Sequence, residues 1–202
     1  MEVDPRKKHR LLVKAGLSND KLASIGAIAV LASHTEHYAE RAIWRIEGQP
    51  VTGVRPRTDA RPISQLIEIL DEIGPTAQKP GIAPLVEQWC RSATLYFSCR
   101  NSIMHGTTAY ADEDFTVFAR NLPTDGVRRK RNPSDFYASQ NTLTLLEEAF
   151  ETLLGGIHLI WLAAQTTAPL GDIKEPMSAL RRAWSIGAEL DNLRAAIQHE
   201  KY

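Results

Sequence analysis

The chain has 202 residues, 43% of them hydrophobic, so it is long enough to bury one sizeable core and is most simply a single domain over residues 1–202. Lys and Arg total 24, as do Asp and Glu, so no overall field attracts the protein to nucleic acid or to an anionic membrane. No stretch approaches the apolar length of a membrane-spanning helix, and the charged N-terminus does not resemble a secretory signal. We therefore expect a soluble, cytoplasmic protein with no membrane partner.

Apolar residues recurring every three or four positions predict a mostly helical fold. Ser18 or Asn19 is the predicted cap of the first helix, and Gly106 is expected to end the third in a left-handed conformation. Asn141 or Thr144 opens the fourth, where Thr144 and Glu147 fit a capping box. The predicted helices cover residues 18–46, 62–73, 84–105, 141–165 and 176–199, with a core over about 18–165 and a C-terminal amphipathic helix.

The segment between the third and fourth helices has a different composition. Residues 107–110 and 115–118 are β-branched and aromatic, which predicts a small β-hairpin, whereas residues 122–137 are interpreted as a polar loop. The predicted fold class is all-α, a four- to five-helix up-and-down bundle with this hairpin inserted between helices three and four.

The residues that most suggest chemistry lie at the end of the third helix. Arg100 offers paired donors that match phosphoryl oxygens, and His105 can exchange protons near neutral pH. Asn101 lies four residues before His105, on the same helix face, so its amide can orient the imidazole. Spacing alone favours a structural interpretation, in which Arg and His only satisfy the terminal carbonyls.

The sequence Arg100-Asn101-x-x-x-His105 at the end of a long helix resembles the motif of the HEPN superfamily (higher eukaryotes and prokaryotes nucleotide-binding). Residues 25–30, 36–40 and 43–44 also resemble the opening helix of bacterial members. The resemblance implies a metal-independent endoribonuclease, or an RNA-binding protein, that acts as a homodimer with both motifs facing one cleft. It further implies a toxin or phage-defence role and an antitoxin or regulatory partner. A non-catalytic helical interaction module or nucleotide-binding module is the alternative.

The remaining polar clusters are weaker candidates. Arg128, Arg129, Lys130 and Arg131 could contact RNA phosphates, although such a run is more often a solvated loop. His34, Glu36 and His37 lack the order of a known zinc motif and are interpreted as a polar band, so no metal and no cofactor is expected. The two cysteines are too far apart on one helix to bridge each other. Other features are interpreted as structural: four tryptophans are expected in the core, and close helix packing or a kink is expected at Gly155–Gly156.

Overall fold

The computed structural model of the protein describes most of the chain. The described residues are 12, 14–50, 55, 57–77, 79, 81–110, 114–119, 135–165 and 171–200, without the side chains of 109–110 and 193–200. The predicted RNA-contact run Arg128–Arg131 lies outside these residues.

The described part of the chain is mostly helical, as predicted. Its elements are α1 (Asn19–Ile46), α2 (Ile63–Ile73), a 3₁₀ turn (Gly74–Thr76), α3 (Ile82–His105), β1 (Thr107–Tyr110), β2 (Thr116–Ala119), β3 (Phe136–Ala138), α4 (Gln140–Gln165) and α5 (Lys174–Glu200). None of these helices combines the length and the apolar character needed to cross a membrane.

The insertion before α4 is a three-stranded antiparallel sheet in the order β1-β2-β3, where the sequence predicted only a hairpin. Thr107 pairs with Ala119, and Thr116 pairs with Ala138 on the other side of β2. The missed strand β3 overlaps the end of the predicted polar loop. Only Phe136 and Ala138 are buried in it, and three residues are too short to show the period-two alternation of a strand.

Side-chain caps explain where two of the helices begin. The Ser18 hydroxyl accepts the backbone N–H of Lys21 at 3.1 Å, which confirms the predicted start of α1. In α4 the cap is Ser139, whose hydroxyl accepts the backbone N–H of Thr142 at 3.1 Å. The predicted capping box at Thr144 is wrong, because Thr144 lies inside the helix and its hydroxyl donates to the carbonyl of Gln140.

Gly106 directly follows the end of α3 but does not have the predicted conformation. The left-handed glycines of the described chain are Gly16, Gly48 and Gly81, so the predicted left-handed stop at Gly106 is wrong. A Cβ at Gly106 would instead lie 2.5 Å from the Ser102 carbonyl oxygen and 3.0 Å from the backbone of Phe118 in β2. The residue is small because the chain passes this close to β2.

The chain divides into two compact units. One comprises Met1–Ala29, Ser98–Glu147 and Glu189–Tyr202, and the other comprises Val30–Phe97 and Glu148–Ala188. We call them the sheet unit and the helical unit, since the first contains β1–β3. The single domain expected from the sequence stays a prediction.

Buried polar groups of α3 fix the packing of the helical unit. Trp89 donates its indole N–H to the carbonyl of Leu153 in α4 at 2.8 Å. Tyr96 donates its hydroxyl to the carbonyl of Ala183 in α5 at 2.6 Å, and Ser92 donates to that of Leu180 at 3.1 Å. The contacts of α3 with α5 therefore advance in the same direction along both helices. Each of these buried donors is therefore satisfied by a backbone carbonyl of the neighbouring helix.

The packing of the predicted glycine pair and the burial of the tryptophans in the helical unit differ from residue to residue. Close packing is confirmed at Gly156, where a Cβ would lie 3.1 Å from the Trp89 ring, but Gly155 has nothing within 4 Å. Trp89 is fully buried, as predicted for a core residue. The other three tryptophans are only half-buried, so the prediction that they are core residues is wrong for Trp44, Trp161 and Trp184. The two cysteines, Cys90 and Cys99, are both buried.

Candidate functional site

The last turns of α3 present one buried face and one open face. Cys99, Ser102 and Ile103 are buried, and they share a side of the helix because they are three and four residues apart. Arg100 and Asn101 are half-buried, and His105 is exposed. The three residues predicted to form the site are therefore accessible, all within the sheet unit.

Arg100 is held by its neighbour and has donor capacity left over. Its Nη1 donates to the Oδ1 of Asn101 at 3.1 Å. Its Nε is buried and has no acceptor among the described residues. An unsatisfied buried donor typically costs about 1–3 kcal/mol, so a ligand oxygen that reached Nε would be bound favourably.

The expected pairing of Asn101 with His105 is not formed. Within the described residues, the Asn101 carbonyl accepts from Arg100, and no hydrogen bond joins Asn101 to His105. The reason is local, because the adjacent guanidinium offers a charged donor that competes well for an amide oxygen. The amide therefore orients the arginine and leaves the imidazole unconstrained.

Arg100 and His105 flank the open face from opposite edges. Five residues apart, they differ by about 140° around the axis of an ideal helix. The helix stays α-helical through His105, so the last turn does not unwind to bring the two side chains together. One copy of α3 thus supplies an arginine on one edge and a histidine on the other.

The sheet fixes the position of this helix end. Gly106 lies against the backbone of Phe118, whose own side chain is buried. On its other side, β2 is tied to α1 by Lys21, which is only 6% exposed and whose Nζ donates to Thr116 Oγ1 and to the Asp114 carbonyl, both at 3.1 Å. Sequence reasoning missed Lys21, since a lysine in a first helical turn is usually solvated.

A sizeable cavity of the sheet unit does not belong to the predicted site. It has a volume of about 760 Å³ and is open to solvent; Ser18, Asp20, Asp114, Ser139 and Gln140 are among its lining residues. Lys21 also lines it, but its Nζ already donates to three oxygens, of which the third is the Gly16 carbonyl at 3.3 Å. Arg100, Asn101 and His105 do not line this cavity.

The polar band of α1 offers no evident metal site. His34 and His37 are exposed, and Glu36 is half-buried. Within the described ranges, no group of three or more His, Cys, Asp or Glu side chains is placed to hold a metal ion.

In comparisons with known proteins, no family model, no curated protein and no solved structure matches this chain. The HEPN resemblance therefore depends on Arg100, Asn101 and His105 and on the helix that carries them.

Proposed function

We propose that the end of α3 binds a phosphate of RNA and cleaves the strand beside it without a metal ion. The observation that carries the proposal is Arg100, whose Nη1 is oriented by Asn101 while its buried Nε has no acceptor in the described chain. A phosphoryl oxygen is the acceptor best matched to the planar guanidinium. His105, exposed on the same helix end, supplies the proton-transfer group.

The chemistry divides into two proton transfers and one substitution at phosphorus. A neutral imidazole takes the proton of a ribose 2′-hydroxyl, whose oxygen then bonds to the adjacent phosphorus. The bond from phosphorus to the 5′-oxygen breaks, and an imidazolium protonates that leaving oxygen. The products are a 2′,3′-cyclic phosphate and a 5′-hydroxyl. The arginine stabilises the phosphorane, in which negative charge is greatest.

Two copies of the chain are needed for this reaction. One α3 end offers one His105, but the reaction uses one base and one acid, and a two-fold interface would supply both. The opposite placement of Arg100 and His105 supports the same arrangement, because a ligand lying between two antiparallel helix ends could meet the arginine of one and the histidine of the other. The small residues of α1, which would let a second helix approach closely, are the proposed interface: Gly26, Ala27, Ala29, Ala32 and Ser33. Its Gly26 and Ser33 are exposed, but Ala32 is buried.

A non-catalytic interaction or nucleotide-binding module remains the second candidate, and one contact favours it. Asn101 bonds Arg100 and leaves His105 unoriented, which suits an anion-binding helix end better than a tuned acid–base pair. A role as a toxin or phage-defence effector, regulated by an antitoxin-like partner, is what the family resemblance adds to either candidate.

The proposal is tested by incubating the purified chain with a single-stranded RNA in excess EDTA. We expect cleavage to persist, because histidine and arginine carry every step. The 3′ ends should carry a 2′,3′-cyclic phosphate, or the monoester formed by its hydrolysis. Cleavage that stops with EDTA and returns with Mg²⁺ would contradict the proposal, and so would products that end in a 3′-hydroxyl.

A further inference from the structure

A second feature with a distinct chemistry lies in the helical unit. Three arginines and two half-buried tryptophans line one shallow groove, and a tyrosine packs on the second tryptophan. We call this the basic–aromatic surface, and its residues are Tyr38, Arg41, Trp44, Arg45, Arg55 and Trp161. None of them belongs to the site at the end of α3.

Two of the three arginines of this surface, Arg41 and Arg45, carry positive charge that no described ion pair neutralises. Arg41 and Arg45 are exposed and one helical turn apart on α1, so their guanidinium groups lie on the same side. Among the described residues neither arginine forms an ion pair, and no carboxylate lines the groove. The nearby Glu47 is engaged by Arg57. The groove is therefore locally cationic on a protein whose net charge is zero.

The aromatic rings are held in place by specific contacts. Trp44 donates its indole N–H to the hydroxyl of Thr58 at 2.7 Å, and the guanidinium of Arg55 lies 3.9 Å from its ring centroid. Trp161 is stacked on His158, with centroids 5.3 Å apart and an interplanar angle of 21°. Rings fixed in this way lose little further freedom when a planar ligand packs against them.

Arginines interleaved with aromatic rings match the recognition of single-stranded nucleic acid, in which cations follow the phosphates and rings stack on bases. The groove encloses only about 80 Å³, which is too small to hold a nucleotide, so it suits a strand lying across the surface. An acidic peptide would match the arginines but would make no particular use of the exposed parts of the two rings.

We propose that the basic–aromatic surface binds a single-stranded RNA segment, with phosphates on Arg41 and Arg45 and bases against Trp44 and Trp161. The proposal does not depend on RNA cleavage at the end of α3. Binding here would extend to any single strand, because stacking and phosphate contacts carry little sequence information.

The charge contribution is tested with a fluorescein-labelled 12-nucleotide RNA whose riboses are 2′-O-methylated, so that it cannot be cut. We expect the double variant Arg41→Glu/Arg45→Glu to bind this RNA at least about tenfold more weakly by fluorescence anisotropy. The dependence of log affinity on log salt should fall by about 1.4, since each lost phosphate contact on a single strand removes about 0.7.

The matched control is Arg181→Glu/Arg182→Glu, which makes the same charge change at two exposed residues of α5 in the same unit. It should retain wild-type affinity. Equal losses in the two double variants would show a general charge effect and overturn the proposal, as would a wild-type protein that does not bind the RNA at low salt. Circular dichroism and thermal unfolding establish that both variants are folded.

The stacking contribution is tested by tryptophan fluorescence. RNA should quench the fluorescence of the wild-type protein, and Trp161→Phe should reduce the quenched fraction. The control is Trp184→Phe, which should not reduce it. Trp184 is a matched residue because it is also half-buried and has the guanidinium of Arg91 4.6 Å from its ring centroid. Quenching that is unchanged in Trp161→Phe overturns the stacking assignment. Equally tight binding of a duplex, or competition by polyglutamate as strong as by RNA, would show a generic anion surface. RNA binding without any cleavage would contradict only the catalytic proposal.

Discussion

Arg100 has one donor that is oriented by a neighbour and another that is unused among the described residues. Its Nη1 is oriented by the amide of the next residue, yet its buried Nε has no acceptor in the described chain. An arginine whose role was only to satisfy terminal carbonyls would not be expected to leave this donor unused. The arrangement is typical of a group held ready for an anionic ligand.

Substitutions of Arg100 distinguish its geometry from its charge. Arg100→Ala should reduce RNA cleavage by about 10²–10³-fold, the usual effect of removing one donor that stabilises transition-state charge. Arg100→Lys should be nearly as impaired, because it keeps the charge but loses the planar fork. Single-turnover cleavage rates measure both, with Arg182→Lys on the exposed face of α5 as the control. Full activity in Arg100→Lys would mean that only the charge matters.

At the scale of elements, contact between the end of α3 and β2 determines where the candidate site lies. Gly106→Ala should lower the free energy of unfolding by about 1–3 kcal/mol, since the new methyl group would overlap the Ser102 carbonyl and press on Phe118. Gly155→Ala is the matched control in α4, where nothing lies within 4 Å, and it should raise stability by about 0.5–1 kcal/mol. Urea unfolding measures both. A stable Gly106→Ala variant would contradict the close approach.

The packing of α3 against α2 carries a pH dependence. Burial, and then the nearby charge of Asp71, raises the pKa of the Cys90 thiol well above its usual range. The thiol is protonated in both states below the unfolded pKa of about 8.5, so its contribution to stability is complete there. Above that pH the unfolded chain releases the proton and the folded chain keeps it, so the free energy of unfolding falls.

The expected loss from Cys90 between pH 7 and pH 10 is about 2 kcal/mol, from about 1.4 kcal/mol per pH unit above the unfolded pKa. Cys90→Ala should lack this part of the decline, since every other titrating group is shared with the wild type. Chemical denaturation at several pH values measures the difference. Parallel stability curves for the two proteins would contradict the buried thiol.

Long periodic helices could be predicted from sequence because burial repeats over many turns, as along α1. Features that depend on tertiary contact could not. β3 has only two buried residues, Ser139 displaced Thr144 as a cap, and the close approach at Gly106 depends on a strand twelve residues away. The role of the motif residues stays a prediction, and their contacts differ from those expected, since the preference of Asn101 for Arg100 over His105 is decided by side-chain geometry.

The basic–aromatic surface is a clearer case of a feature that depends on tertiary contact and could not be predicted from the sequence. Trp44 and Trp161 occupy apolar helical positions, so periodicity assigned both to the core. Both are instead half-buried and line a groove together with Arg41 and Arg45 of α1. Arg55 comes from a loop that has no periodicity, and so nothing in the sequence predicted that it would reach the ring of Trp44.

At the scale of the whole molecule, a chain with zero net charge must bind RNA through local groups. The proposed reaction also needs two histidines, and each chain offers one at the end of α3. The functional particle is therefore expected to be a two-fold dimer, with twice the 22.5 kDa mass of the chain. Light scattering on the active fraction measures that mass, and an active monomer would contradict the shared site.

The most direct measurement compares RNA cleavage by the wild-type protein and by His105→Ala, in EDTA and at equal dimer concentration. We expect the variant to remain folded and dimeric, because His105 is exposed, and to cleave about 10²–10⁴-fold more slowly, the usual contribution of acid–base catalysis. His34→Ala, which removes another exposed histidine, should cleave like the wild type. Undiminished cleavage by His105→Ala, or its unfolding, would show that the end of α3 is structural and would favour the interaction module.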